Sequence, residues 1–82
     1  AVRLAYPGME VAILGGGNFG TAIANIVARN GFVTHLWMRD ARQVADCLEF
    51  GENRRYLPGH PLEPLVRPTN DLADALTRSG LV

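Results

Sequence analysis

The sequence predicts an α/β fold: half of a doubly wound parallel sheet, in the order βαβαβα, followed by the start of a fourth strand. Two observations carry that prediction. Short runs of consecutive apolar residues, which suit strands covered on both faces, alternate with stretches whose apolar residues recur at helical spacing. Glycine or proline stands at most of the joints between them. With 82 residues there is room for one small domain, able to bury only about 60% of its unfolded surface.

Residues 1–9 carry no periodic pattern and read as a leading segment, with Pro7-Gly8 marking a turn. Glu10 to Leu14 is an apolar run that stops at Gly15, the first strand. From Asn18 to Asn30 the period changes, with Phe19, Ile23, Ile26 and Val27 on one helical stripe, and Gly31 stands where a C-terminal glycine belongs. Phe32 to Met38 is rich in β-branched and aromatic residues, the second strand, with His35 and Trp37 as packing residues. Asp40 and Gln43 have the spacing of a capping box for a helix over residues 41–50, with Ala41, Val44, Ala45 and Leu48 inward and Gly51 as its stop. Cys47 on this helix reads as a core or boundary residue. Three prolines and Gly59 keep residues 51–64 irregular. Leu65 to Arg67 forms a brief third strand. Thr69 is the expected N-cap of a third helix, with Leu72, Ala73 and Leu76 inward and Ser79-Gly80 at its end. Leu81-Val82 opens a fourth strand. The chain is thus expected to be a fragment that stops inside its own domain.

The first joint carries the chemistry. Gly15-Gly16-Gly17-Asn18-Phe19-Gly20 matches G-x-G-x-x-G, with its fixed glycines at Gly15, Gly17 and Gly20. Gly15 permits a tight turn out of the strand, Gly17 lets backbone approach a pyrophosphate, and Gly20 lets the helix pack on the strand. The helix N-terminus offers free N–H groups and a partial positive charge to phosphates. Glycine-rich turns are common, but this one follows a strand, opens an amphipathic helix and leads to a second strand. The combination specifies a dinucleotide-binding turn of Rossmann type, for NAD or NADP. Asp40 arrives about 20 residues after Gly20, where a carboxylate accepts ribose hydroxyls of NAD. It can equally serve as a helix cap. Arg39 beside it suits the 2′-phosphate of NADP, or stands as a solvated surface residue. Arg54 and Arg55 read as a solvated pair.

Composition narrows the rest. Eight acidic residues balance eight basic ones, which favours neither nucleic acid nor a membrane surface as partner. No apolar run approaches the roughly 18 residues of a membrane span, and no secretory signal pattern opens the chain. One cysteine allows no internal disulfide and fits a reducing compartment, the cytoplasm. Every basic residue is arginine, so lysine-based acid–base or Schiff-base chemistry is excluded within these residues. His35, Cys47 and His60 are too scattered for metal-ligand spacing. No catalytic residue and no metal site is expected in this chain.

Val11 to Ala24 (VAILGGGNFGTAIA) resembles the start of bacterial NAD(P)-dependent glycerol-3-phosphate dehydrogenases. Ala28 to Gly31, Leu36 to Asp40, and Asp71 to Leu76 are similar to the same family. So is Glu52 to Gly59, which the family writes as Asn, two variable residues, an aromatic, then Leu-Pro. The resemblance covers nearly the whole chain beyond Glu10, placing residues 10–82 in the N-terminal part of a nucleotide-binding domain whose substrate domain is absent. It implies interconversion of glycerol 3-phosphate and dihydroxyacetone phosphate for phospholipid synthesis, in a cytoplasmic protein that is a homo-oligomer at full length. It also implies cofactor contacts from Asn18, Phe19 and Tyr56, with Arg39 reading the adenosine ribose or its phosphate. The family's catalytic lysines belong to later segments. Other dehydrogenases of the 6-phosphogluconate or β-hydroxyacid type share the glycine turn, though the Asn53 to Gly59 loop argues against them. A non-catalytic NAD(H)-sensing module is the alternative outside enzymes.

Overall fold

A computed structural model describes residues 10–81; the Pro7-Gly8 turn, the leading segment and Val82 lie outside them. Strands β1 (Val11–Leu14), β2 (Thr34–Trp37), β3 (Val66–Thr69) and β4 (Gly80–Leu81) alternate with helices α1 (Asn18–Arg29), α2 (Ala41–Phe50) and α3 (Leu72–Arg78). All pairings are parallel and the sheet order is β3-β2-β1-β4. The expected order of elements is therefore observed. Right-handed crossovers carry α1 and α2 over one face and, because β4 returns past β1, α3 over the other. The reversal leaves a crevice beyond the carboxyl end of β1, where ligands of open α/β sheets bind.

Strand alternation divides the core. Val11, Ile13, Leu36 and Val66 pack with Ala24 and Ala28 of α1 and with Val44 and Cys47 of α2. Ala12 and His35 point to the opposite face, and α3 contributes the fully buried Ala75. His35 Nε2 meets Glu10 Oε1 at 2.5 Å, which gives this buried ring a polar partner. Pro68 sits in β3, an edge strand, where a missing N–H is tolerated. Among the described residues no helix is long and apolar enough to cross a membrane.

The helix faces differ from those expected. On α1 the buried residues are Thr21, Ala24, Asn25 and Ala28, while Phe19 and Ile26 are 77% and 51% exposed. Only Ile23 and Val27 of the expected stripe pack on the core, and only partly. A helix that must lie close against a glycine turn buries small residues, and bulk is displaced to its flanks. On α2 Val44 and Cys47 are buried, whereas Ala41, Ala45 and Leu48 are exposed. On α3 Ala75 is inward, whereas Leu72, Ala73 and Leu76 are exposed.

Two caps also differ. Asp71, not Thr69, is the N-cap of α3, its side chain accepting from Asp74 N at 2.9 Å. Thr69 completes β3 and its hydroxyl accepts from Asp71 N at 3.0 Å. Asp40 does cap α2, accepting from Arg42 N at 2.8 Å, but Gln43 does not reach back to close a capping box. Gly51 ends the helix at φ +67°, a left-handed conformation open to glycine.

Cys47 is 2% exposed. Burial, seconded by the Asp46 carboxylate, pushes its thiol above the ordinary value. Because the thiolate is the reactive form, iodoacetamide is expected to modify native Cys47 roughly tenfold or more slowly than the urea-unfolded residue. Equal rates in the two states would place the thiol on the surface.

Candidate functional site

The site begins with the turn between β1 and α1. Gly15 adopts φ +120°, a conformation L side chains rarely take, while its N–H donates to Trp37 O at 2.9 Å. The chain therefore leaves β1 while still held to β2. Three residues into α1, a Cβ on Gly20 would lie 2.1 Å from Gly15 O. Gly17 is the reverse case: it is exposed, and nothing lies within 4 Å of where its Cβ would stand. It is also the N-cap of α1 and makes no side-chain cap hydrogen bond. The first N–H groups of the helix thus lack a side-chain acceptor, which leaves them suited to an anion.

A cleft of about 270 Å³ opens here, lined by Ile13, Leu14, Gly15, Gly17, Asn18, Phe19, Gly20 and Ile23. Five of the residues singled out in the sequence, Gly15, Gly17, Asn18, Phe19 and Gly20, are gathered in it. A larger space of about 540 Å³ lies between α2 and the following loop, among Asp40, Arg42, Gln43, Asp46, Arg54 and Arg55. Asp40 reaches this second space. Its Oδ1 caps α2 and its Oδ2 stands 3.7 Å from Arg55. Arg39 and Tyr56 line neither space. Arg39 is exposed, and among the described residues it enters no ion pair; Tyr56 lies with its ring beneath the Arg55 guanidinium, 5.2 Å away.

The arginine pair is less free than its sequence suggests. Arg54 donates to both Asp46 oxygens, at 3.2 and 2.6 Å, and stacks 3.6 Å over Phe50. That hydrogen-bonded guanidinium holds the Asp46 carboxyl below the usual carboxylate range. Arg42 and Arg55 also face the larger space, Arg55 beside the Asp40 carboxylate.

Three polar residues below the turn escaped the sequence reading as functional candidates. Asn53, 1% exposed, donates through Nδ2 to Gly16 O at 2.7 Å and to Thr21 Oγ1 at 2.8 Å. Gln43 Nε2 donates to the same carbonyl at 2.7 Å and to Asn53 Oδ1 at 3.3 Å. Thr21 Oγ1 donates to Gly17 O at 2.7 Å. Every amide proton of the two side chains has an acceptor, and the Gly16 carbonyl receives one bond from each of them, with Thr21 Oγ1 a longer 3.5 Å away. Residues 51–65 are fastened a second time through Asn25, whose side chain binds Pro61 O and Glu63 N at 3.2 and 2.9 Å. The signal available was Asn53 at the head of the family-like Tyr-Leu-Pro-Gly segment.

Fold and turn together define a Rossmann-type nucleotide-binding unit: a parallel sheet, a switch in strand order, and an uncapped helix N-terminus behind a glycine turn. The family follows from comparison with known proteins. Residues 10–82 match the family described as NAD-dependent glycerol-3-phosphate dehydrogenase N-terminus, and the chain belongs to that family. Glycerol-3-phosphate dehydrogenases [NAD(P)+] of Saccharophagus degradans and Ectopseudomonas mendocina are each 50% identical over 88% of this chain. The chain spans about a fifth of those relatives, 20% and 21% of their lengths. The crystal structure of glycerol-3-phosphate dehydrogenase from Coxiella burnetii superposes with TM-score 0.82 at 35% identity, covering 87% of this chain and 22% of that one. The Plasmodium falciparum enzyme gives TM-score 0.74 at 29% identity over 89% of this chain and 23% of its own.

Proposed function

We propose that this chain is the cofactor-binding N-terminal part of an NAD(P)-dependent glycerol-3-phosphate dehydrogenase, with residues 1–9 as a leading segment. The observation that carries the reading is the open space over Gly17 at an uncapped helix N-terminus, in a chain of this family. The cradle fits a dinucleotide: a pyrophosphate needs close backbone approach and N–H donors, and this turn supplies both. Gly15, Gly17, Asn18, Phe19 and Gly20 hold the pyrophosphate region. Asp40 and Arg39 address the adenosine ribose, and Tyr56 adds a contact from the loop.

When bound, the nicotinamide supplies hydride chemistry between glycerol 3-phosphate and dihydroxyacetone phosphate. This chain's own work is to bind and orient. Proton transfer and substrate phosphate binding belong to later segments, in a cytoplasmic homo-oligomer that serves phospholipid synthesis.

Arg39 decides between the coenzymes. A planar guanidinium on a phosphate dianion contributes about 1.5–3 kcal/mol through charge-assisted hydrogen bonds. NAD lacks the 2′-phosphate. In the full-length protein Arg39→Ala is therefore expected to weaken NADPH binding roughly tenfold or more, since about 1.4 kcal/mol is tenfold, and to leave NADH nearly unchanged. Dissociation constants for both coenzymes at fixed salt test it. Equal losses would give Arg39 a structural or adenine-stacking role, and no loss would return it to the solvated surface. Failure of the parental protein to bind either coenzyme would overturn the reading itself.

A further inference from the structure

We propose that Asn53 is a positioning residue for phosphate recognition, acting through the Gly16 carbonyl rather than by touching ligand. The inference rests on the reading of the glycine turn as the pyrophosphate site. Its basis is the geometry of one peptide unit. In a trans peptide the carbonyl of residue 16 and the N–H of residue 17 point in opposite directions. Asn53 and Gln43 both hold the Gly16 oxygen at 2.7 Å from below. The Gly17 N–H is thereby directed to the other side of the turn.

The lining of the small cleft agrees with that orientation. Gly15 and Gly17 face the cleft, whereas Gly16 is buried and absent from its wall. A peptide between two glycines has little steric resistance to flipping, because neither flanking residue has a Cβ. In the flipped arrangement a carbonyl dipole would face the phosphates and repel them. The hydrogen bonds from Asn53 and Gln43 remove that alternative. The carbonyl can only accept, so a side chain at position 53 must present a donor to it.

Asn53 also links two parts of the site. Its backbone oxygen accepts from Leu57 N at 2.8 Å and Tyr56 N at 3.3 Å, so the turn carrying Tyr56 is anchored by the residue that sets the Gly17 amide.

The test uses the full-length protein, with ADP-ribose, which carries the pyrophosphate, and adenosine, which does not. Asn53→Asp keeps shape but replaces the donor with a second acceptor facing the Gly16 oxygen. Affinity for ADP-ribose and NADH is expected to fall at least tenfold, with adenosine affinity within twofold of the parental value. A purely structural role would weaken adenosine and ADP-ribose alike, and that result overturns the proposal, as does unchanged ADP-ribose binding. Should Asn53→Asp fail to fold, Gln43→Leu removes the other donor from a half-buried position. The same split between ligands supports the proposal, and its absence overturns it. If the parental protein binds neither ADP-ribose nor NADH, the reading of the turn falls first and this inference with it.

Discussion

Replacement of Gly17 by valine is expected to abolish measurable coenzyme binding in the full-length protein while leaving its fold intact. Gly17 has φ −72° and ψ −175°, an extended conformation that valine adopts without strain. Its Cβ would meet no protein atom within 4 Å. The change costs the folded state only a weaker N-cap, about 1 kcal/mol. Binding suffers far more, because the isopropyl group fills the space through which phosphate oxygens reach the backbone. Losing two charge-assisted hydrogen bonds at about 1.5–3 kcal/mol each corresponds to roughly a hundredfold or more in affinity. NADH and NADPH should fall together, since both carry the pyrophosphate. The check is a pair of titrations beside a melting curve without ligand. Parental affinity in a folded Gly17→Val protein would remove the turn from the binding site.

That separation of binding from folding shows what the sequence made legible. The strand–turn–helix order could be read because period and composition change at Gly15, Gly31 and Gly51, and the structure has those joints. On α1, and at the leucines of α3, the buried face departs from the sequence pattern for one reason. Apolar bulk at helical spacing marks an inward residue in the sequence, yet α1 and α3 approach the sheet closely and bury Ala24, Ala28 and Ala75 instead of Ile26, Leu72 or Leu76. Close approach is a property of the strand they cover, where Gly20 meets Gly15 and Ala12 is fully buried. It is not written in the helix alone. Thr69 failed as a cap because Asp71, two positions on, offers a carboxylate to the same helix and leaves Thr69 to pair with Trp37 in the sheet.

The candidate site divides in the same way. Residues contiguous in the glycine motif were readable together, since one turn positions them all. Asn53 was not, because its partner Gly16 lies 37 residues earlier. The spacing of Gln43 suggests a local capping role, and the folded chain uses its amide at a distance instead. Long-range polar contacts of this kind depend on how two loops meet, which no local pattern encodes.

Gly20 should fail in the opposite manner to Gly17. Helix propensity favours alanine over glycine inside a helix by about 1 kcal/mol, so a local rule makes Gly20→Ala stabilising. The contact argues otherwise. A Cβ there would stand 2.1 Å from Gly15 O and 3.2 Å from Gly15 C, both backbone atoms. Neither is the far end of a flexible side chain that swings aside. Relief requires α1 to lift from β1, or Gly15 to leave the φ +120° turn that keeps its N–H on Trp37 O. Overpacking of this kind costs about 1–3 kcal/mol and sometimes more, which exceeds the propensity gain. A net loss of about 1 kcal/mol corresponds to a fall in melting temperature of roughly 2–4 °C for a domain of 150–250 residues. Coenzyme affinity should drop as well, because lifting α1 moves its N-terminal N–H groups from the cleft. Ligand-free thermal unfolding of the full-length Gly20→Ala protein, run beside Gly17→Val, separates the two effects. A melting temperature equal to or above the parental one would mean that α1 does not press on the Gly15 carbonyl. The third glycine of the motif would then owe its place to the ligand rather than to the packing of helix on strand.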